Sequence, residues 1–339
     1  MSTQEAVIQS GTIEFGDAHL LPASPVVSVL MLVYNHRESL AQAIESVLAQ
    51  ETGFPIELLI GEDHSTDGSR EIAIRYQQEH PGTIRVLTAA RNVGAYQNYM
   101  RLLDAARGEF VAHIDGDDYW LLGKLTKQVA LLREHREIIA VYGNAHVLGQ
   151  DGALIGRFNN VGDERLDLGA VLRRGNFLCM STMVFRASQS PLIRAIGGVF
   201  IDYQMHLTHA QHGDLIHLAE PLAVYRLQST GSMVANDNAR VRELYWQAVQ
   251  SVPRDRVTDG DYARGLADFL RRVAFRAVRA RRWRLFGEWS ARVQAASPYG
   301  VLRTGALVAT SILRTAFKEG VGWVMCKAGG HRGRILYRR

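Results

Sequence analysis

The sequence predicts an α/β protein: a Rossmann-like half on a mostly parallel central sheet, then a helical, basic C-terminal extension. Three observations predict it. Short apolar runs alternate with amphipathic stripes of helical period. Polar loops recur where those runs end. Charge is also divided along the chain, since residues 240–339 carry 21 Lys and Arg against 7 Asp and Glu, and the rest carries 18 against 27.

The elements follow in order. Residues 1–25, closing in Leu21-Pro22-Ala23-Ser24-Pro25, lack a positive start followed by an apolar block, so a flexible lead-in without a signal peptide is expected. Val26 to Val33 is a continuous apolar run, as a strand covered on both faces requires. Leu40, Ala43, Ile44, Val47 and Leu48 then form a helical stripe. Ile56 to Ile60 is a second strand, and Ser65, Thr66 and Asp67 supply cap chemistry for a helix through Tyr76. Ile84 to Leu87 is a third strand; the helix from Ala95 to Ala106 is expected to stop at Gly108. A strand through Phe110 to Ile114, a helix over 124–133 and a strand over 138–142 complete the pattern. Right-handed crossovers put the loops at Asn35, Asp63, Asn92 and Asp115 on one sheet edge, the place where nucleotides bind.

The rhythm changes near residue 144. A strand is expected over 181–185, a helix from Asp202 to about His212, and two short strands over 215–218 and 223–225. The sequence therefore divides into a lead-in (1–25), a nucleotide-binding half (26–143), a second half (144–239) and the helical Arg-rich extension (240–339). Hydrophobic content of 47% and charged content of 22% exclude a disordered chain. Two distant cysteines, Cys179 and Cys326, make neither a disulfide framework nor zinc spacing, which suits a reducing cytoplasm. The best candidate membrane span, 304–313, is too short and is flanked by Arg303 and Arg314.

The most informative stretch is Ile114-Asp115-Gly116-Asp117-Asp118, where a buried strand ends in three carboxylates. Aligned like charges repel and lose hydration there, so a hard divalent cation shared with a phosphate is expected. The alternative is an acidic turn before the next helix. His206, His209 and His212 recur every third residue, a spacing that drifts around a helix and fits packing or solvation better than a metal.

Together Val33-Tyr34-Asn35, the stretch from Gly61 to Ser69, Arg91-Asn92-Val93-Gly94 and Ile114 to Asp118 resemble family 2 glycosyltransferases of the GT-A fold. The resemblance covers residues 26–232. It implies that Asp63 binds the nucleotide base, with Val33, Tyr34 and Asn35 lining its pocket and Asn92 and Gly94 beside the donor. It implies further that Asp115, Gly116 and Asp117 form a DXD motif, with Asp117 as the direct ligand for Mn²⁺ or Mg²⁺ and Asp115 as the contact to ribose or metal. Asp202 falls at the family's catalytic base. Asp118, Ser181, Arg91, Arg226 and Gln228 are further candidates; Gln228 stands where relatives often carry a histidine, and Ser181 suits either an acceptor contact or an ordinary strand position.

The resemblance implies an inverting transfer from a nucleoside-diphosphate sugar, UDP-linked before other nucleotides, to a saccharide or lipid-linked acceptor in surface polysaccharide assembly. A sugar nucleotidyltransferase would instead carry a Gly-rich phosphate loop after its first strand, where Tyr34-Asn35-His36-Arg37 stands. A non-catalytic nucleotide-sugar-binding subunit is the other alternative. Nucleic acid is not expected, because no recognition motif accompanies the basic tail. The arginines interleaved with aromatics over 270–339 suit an anionic membrane surface, on the inner face of the cytoplasmic membrane, or else aromatics packed back on the body.

Overall fold

The computed structural model describes residues 7–9, 11–16, 19–227, 238–327 and 334–337. The strands are β1 (Val7–Gln9), β2 (Thr12–Phe15), β3 (Val27–Val33), β4 (Ile56–Glu62), β5 (Ile84–Ala89), β6 (Phe110–Asp115), β7 (Tyr119–Trp120), β8 (Ile138–Leu148), β9 (Leu154–Asn159), β10 (Glu164–Leu166), β11 (Val184–Arg186), β12 (Asp214–Arg226) and β13 (Arg334–Tyr337). The α-helices are α1 (Leu40–Leu48), α2 (Ser69–Glu79), α3 (Ala95–Ala105), α4 (Lys124–Glu134), α5 (Leu168–Arg174), α6 (Ser190–Ala195), α7 (Asp202–Ala210), α8 (Asn238–Gln250), α9 (Asp259–Ala280), α10 (Trp283–Ala296) and α11 (Val301–Lys327).

The apolar strands occupy the centre because they are covered twice. In β3, Val27, Val29, Met31 and Val33 face a core shared with α1, α2 and α4, while Leu30 faces a second core shared with α3, α7 and the C-terminal helices. The sheet runs β1-β2-β5-β4-β3-β6-β11-β8-β12-β10, parallel from β5 to β6 and antiparallel at β11. Val33 pairs with Glu62 and Leu32 with Asp115, so the ends of β3, β4 and β6 lie at one edge.

Several expectations are corrected. Residues 12–15, expected within a flexible lead-in, form β2, which pairs antiparallel with β5 and places Glu14 2.6 Å from Arg85. The alternation Thr-Ile-Glu-Phe carried that signal, and β2 covers what would otherwise be an exposed strand edge. The division expected at 143/144 falls inside β8, an eleven-residue strand, because one sheet continues through both halves. The strand expected over 181–185 is a 3₁₀ turn at Met180–Thr182 followed by β11. The two strands expected over 215–225 are one, β12, with register shifts around Pro221, a proline being tolerated in a strand at such a bulge. Gly108 is no helix stop, since α3 ends with Ala106 in an extended conformation; a Cβ at 108 would lie 2.5 Å from the Ser28 backbone nitrogen.

His206 and His209 are buried, and burial pushes both down to about 3, so they pack as neutral imidazoles. His206 Nδ1 lies 2.8 Å from the Tyr142 hydroxyl. Among the described residues, no helix is long and apolar enough to cross a membrane.

Candidate functional site

Three loops converge at the sheet edge because their backbone groups are tied to one another. Asn35 takes a left-handed conformation (φ 57°), which an asparagine tolerates. Its amide donates to Ser65 Oγ at 3.0 Å, and its side-chain oxygen accepts from the Thr66 amide at 2.8 Å. The Asp67 carboxylate accepts from the amides of Arg37 and Ser69 at 2.9 and 3.0 Å. Thus Tyr34, which is 40% exposed, is held at the edge of a braced turn.

Asp63 is buried, and its two carboxylate oxygens accept from the amides of Val93 and Gly94, each at 2.8 Å. Gly94 has φ 86°, a conformation costly for any residue with a Cβ, and Asn92 Oδ1 also accepts from its amide at 3.0 Å. The structure therefore brings Asp63, Asn92 and Gly94 together, whereas Arg91 is exposed on the same loop. Glu62, part of the Gly61–Ser69 stretch but not among the site candidates, lies fully buried beneath. Burial pushes its carboxyl up, but donors from Ser65, Arg70 and Thr88 outweigh that and hold it low.

The acidic loop leaves β6 through a turn in which the Gly116 amide donates to Leu32 O at 2.8 Å. A Cβ on Gly116 would meet His36 Nδ1 at 2.8 Å, so the close approach requires glycine. Asp115, Asp117 and Asp118 each offer a carboxylate oxygen within 4.8 Å of the others. Their environments differ. Asp118 is 1% exposed and held by protein at both oxygens: one accepts from Ser181 Oγ at 2.5 Å, the other from the Arg226 amide at 2.9 Å. Burial, then the charges of Asp117 and Asp115, push its carboxyl well up. Asp115 stays half-open, with Oδ1 3.1 Å from His113 Nε2. Burial raises its carboxyl, yet His113 outweighs that and leaves it low. Clustered hard oxygen donors fit a divalent cation; Asp115 and Asp117 are half-buried, whereas Asp118 is buried and held by Ser181 and the Arg226 amide.

Ser181 is buried on the 3₁₀ turn. Besides donating to Asp118, its hydroxyl accepts from the Asp115 amide at 3.3 Å, and its carbonyl accepts from Trp120 Nε1 at 2.7 Å. It braces the acidic loop, as does the Arg226 backbone; the Arg226 guanidinium lies over the Tyr119 ring at 5.7 Å and donates to Gln42. Gln228 lies outside the described residues. Ser181→Ala should destabilise the chain by about 1–3 kcal/mol in urea unfolding, because Asp118 keeps its burial and loses a donor. An unchanged midpoint would remove the brace.

Asp202 is the first residue of α7 and opens to solvent. Although the residue is exposed, the protein around its carboxyl strips part of the hydration, and this, then the charge of Asp115, pushes it up to about 6. The second carboxylate thus sits close enough to the acidic loop to feel it, with a proton affinity suited to accepting a proton near neutrality. His113 is a functional candidate that sequence reading missed; its alternation within β6, next to Asp115, was the available signal.

A twisted sheet with braced loops and a DXD-type acidic loop at its edge defines a GT-A fold. A model of glycosyl transferase family 2 matches residues 28–186. The chain belongs to that family. It is 32% identical over 235 residues to a putative teichuronic acid biosynthesis glycosyltransferase, TuaG, of Bacillus subtilis, covering 68% of this chain and 89% of that one. An uncharacterised Mycobacterium tuberculosis protein is 34% identical over 207 residues, and the match spans 60% of each chain. A Staphylococcus aureus TarS fragment (residues 1–349) in complex with UDP-GlcNAc has a TM-score of 0.60 at 17% identity, over 87% of this chain and 92% of that one.

Proposed function

We propose that the protein is an inverting, metal-dependent transferase that moves a sugar from a UDP-sugar to a saccharide or lipid-linked acceptor in cell-surface polysaccharide assembly. The observation that carries this reading is the convergence on one sheet edge of the Asp63 loop and the pair Asp115 and Asp117, with Asp202 near enough for its carboxyl to feel the charge of Asp115. TuaG's name supports the polysaccharide setting, and the UDP-GlcNAc of the TarS complex supports a UDP donor.

In this reading the Asp63 loop and the turn at Val33 to Asn35 receive the nucleoside. Asp115 and Asp117 would hold the cation, Mn²⁺ or Mg²⁺. Bound there, the cation would act as a Lewis acid on the leaving diphosphate without a proton transfer. Asp202 accepts the proton of the acceptor hydroxyl. The acceptor oxygen then bonds to the anomeric carbon as the bond from that carbon to phosphate breaks on the opposite face, which inverts the centre. Holding both substrates in line contributes the remainder.

The test is donor binding and slow hydrolysis across UDP-, GDP-, dTDP- and CDP-sugars, with and without Mn²⁺. Cation-dependent binding of a UDP-sugar is expected. Failure of every nucleotide sugar to bind, or a product carrying the nucleotidyl group, would overturn the reading.

A further inference from the structure

The C-terminal helices bury one part of their aromatic surface and leave another part open. Trp289 is 6% exposed, its ring 5.0 Å from Phe269 and 5.8 Å from Trp246, so this portion packs back on the body. Helix α11 likewise turns Thr304 and Val308 inward. Its opposite side carries a second apolar stripe: Leu302 is 91% exposed, Leu313 68% and Phe317 72%, with Ala306 and Ala309 exposed between them. Steps of four, three, four and four residues place 302, 306, 309, 313 and 317 on one helical face. A helix facing only water would carry polar residues there.

Basic groups border this stripe. Arg303 and Arg314 lie on one flank, and Arg303 stacks over the Tyr299 ring at 3.6 Å. The Tyr299 hydroxyl is 3.8 Å from the Cβ position of Gly260, so α11 starts at the N-terminal end of α9. It packs against α9, and Arg276 and Arg279 near the C-terminal end of α9, with Arg282 and Arg284 just beyond it, are exposed. At that turn Trp283 is 68% exposed and Val278 53%. Residues 270–339 hold 16 Lys and Arg against 2 Asp and Glu.

We propose that this face docks the protein on an anionic lipid bilayer. Leu302, Leu313, Phe317 and Trp283 enter the boundary between headgroups and acyl chains, while the arginines lay their stems along the surface and reach lipid phosphates. The charge complementarity selects an anionic surface, and the narrow apolar stripe bordered on one flank by long cationic side chains suits an interface with water on one side. The helix lies on the membrane and does not cross it. The inference stands independently of the transferase reading, because docking needs no donor, cation or acceptor.

The experiment is flotation of the full chain with vesicles of phosphatidylcholine alone and with about 30% phosphatidylglycerol, at low salt and at about 0.5 M NaCl. Binding to the anionic vesicles is expected to exceed binding to the neutral ones about tenfold and to fall in high salt. Leu302→Ser/Leu313→Ser/Phe317→Ser should lower anionic binding about tenfold with an unchanged thermal midpoint. Should that variant lose its thermal transition, Arg282→Glu/Arg284→Glu, at two exposed positions, should still abolish the anionic preference. Equal binding to both vesicles, no binding, or wild-type flotation by a folded variant would overturn the proposal. So would a wild-type dimer in light scattering that becomes monomeric in the triple variant, since the face would then belong to a second copy.

Discussion

Asp202→Asn should lower transfer about 10²–10⁴-fold while leaving UDP-sugar affinity within about twofold of wild type. An acceptor hydroxyl is a weak nucleophile until its proton has somewhere to go, and the amide cannot take it. The pH dependence gives an independent sign. With its carboxyl pushed up to about 6, Asp202 is mostly protonated at pH 5 and mostly ionised at pH 7, so kcat/KM for the acceptor should rise through that range. A cation beside Asp115 would cancel part of the repulsion and move the limb lower. Stability runs the other way. A folded value raised above the unfolded one, about 3.9, means that folding disfavours the ionised carboxylate. The Asn variant should therefore be at least as stable as wild type at pH 7, an advantage that shrinks as pH falls through about 6 and is gone below about 4. Lost donor binding, or a variant less stable at pH 7, would mark Asp202 as structural.

Asp117→Ala should lower cation-dependent donor binding and transfer on the order of a thousandfold, the several kcal/mol that a Lewis acid supplies to a departing diphosphate. The reason lies in the division of labour within the acidic loop. Asp118 is buried, with each oxygen already accepting one bond, from Ser181 or the Arg226 amide, so it is poorly placed to replace Asp117. Calorimetry of the donor with Mn²⁺, Mg²⁺ and chelator decides the matter. Donor binding that ignores the cation and survives Asp117→Ala would remove the metal from the reading. Ser181→Ala should affect chiefly stability, which separates bracing from ligation.

Much of the fold was legible because its signals are local. The continuous apolar run of β3 and the stripe of α1 are periodicities within a few residues, and the order of polar loops follows from right-handed crossovers. What escaped the sequence depends on distant partners. Pro221 made β12 look like two strands, although bulges against β8 let it continue. Gly108 resembled a helix stop, yet its reason is the backbone of Ser28, 80 residues away. The aromatic tail left two readings open, and burial divides it between them: Trp289 packs inward while Trp283 and Phe317 face out.

By itself the sequence determined that strands and helices alternate, that four polar motifs fall at strand ends, and that three carboxylates follow a buried strand. Each is written within one window of chain. Only the tertiary structure decided what the carboxylates are set to do. Asp115 and Asp118 are alike as residues and three apart, but the turn at Gly116 leaves one half-open beside His113 and drives the other inward. Donors from Ser181 and Arg226, 63 and 108 residues away, then hold Asp118 there. Burial and hydrogen-bond partners set a carboxylate's role, and both come from segments that local periodicity does not see.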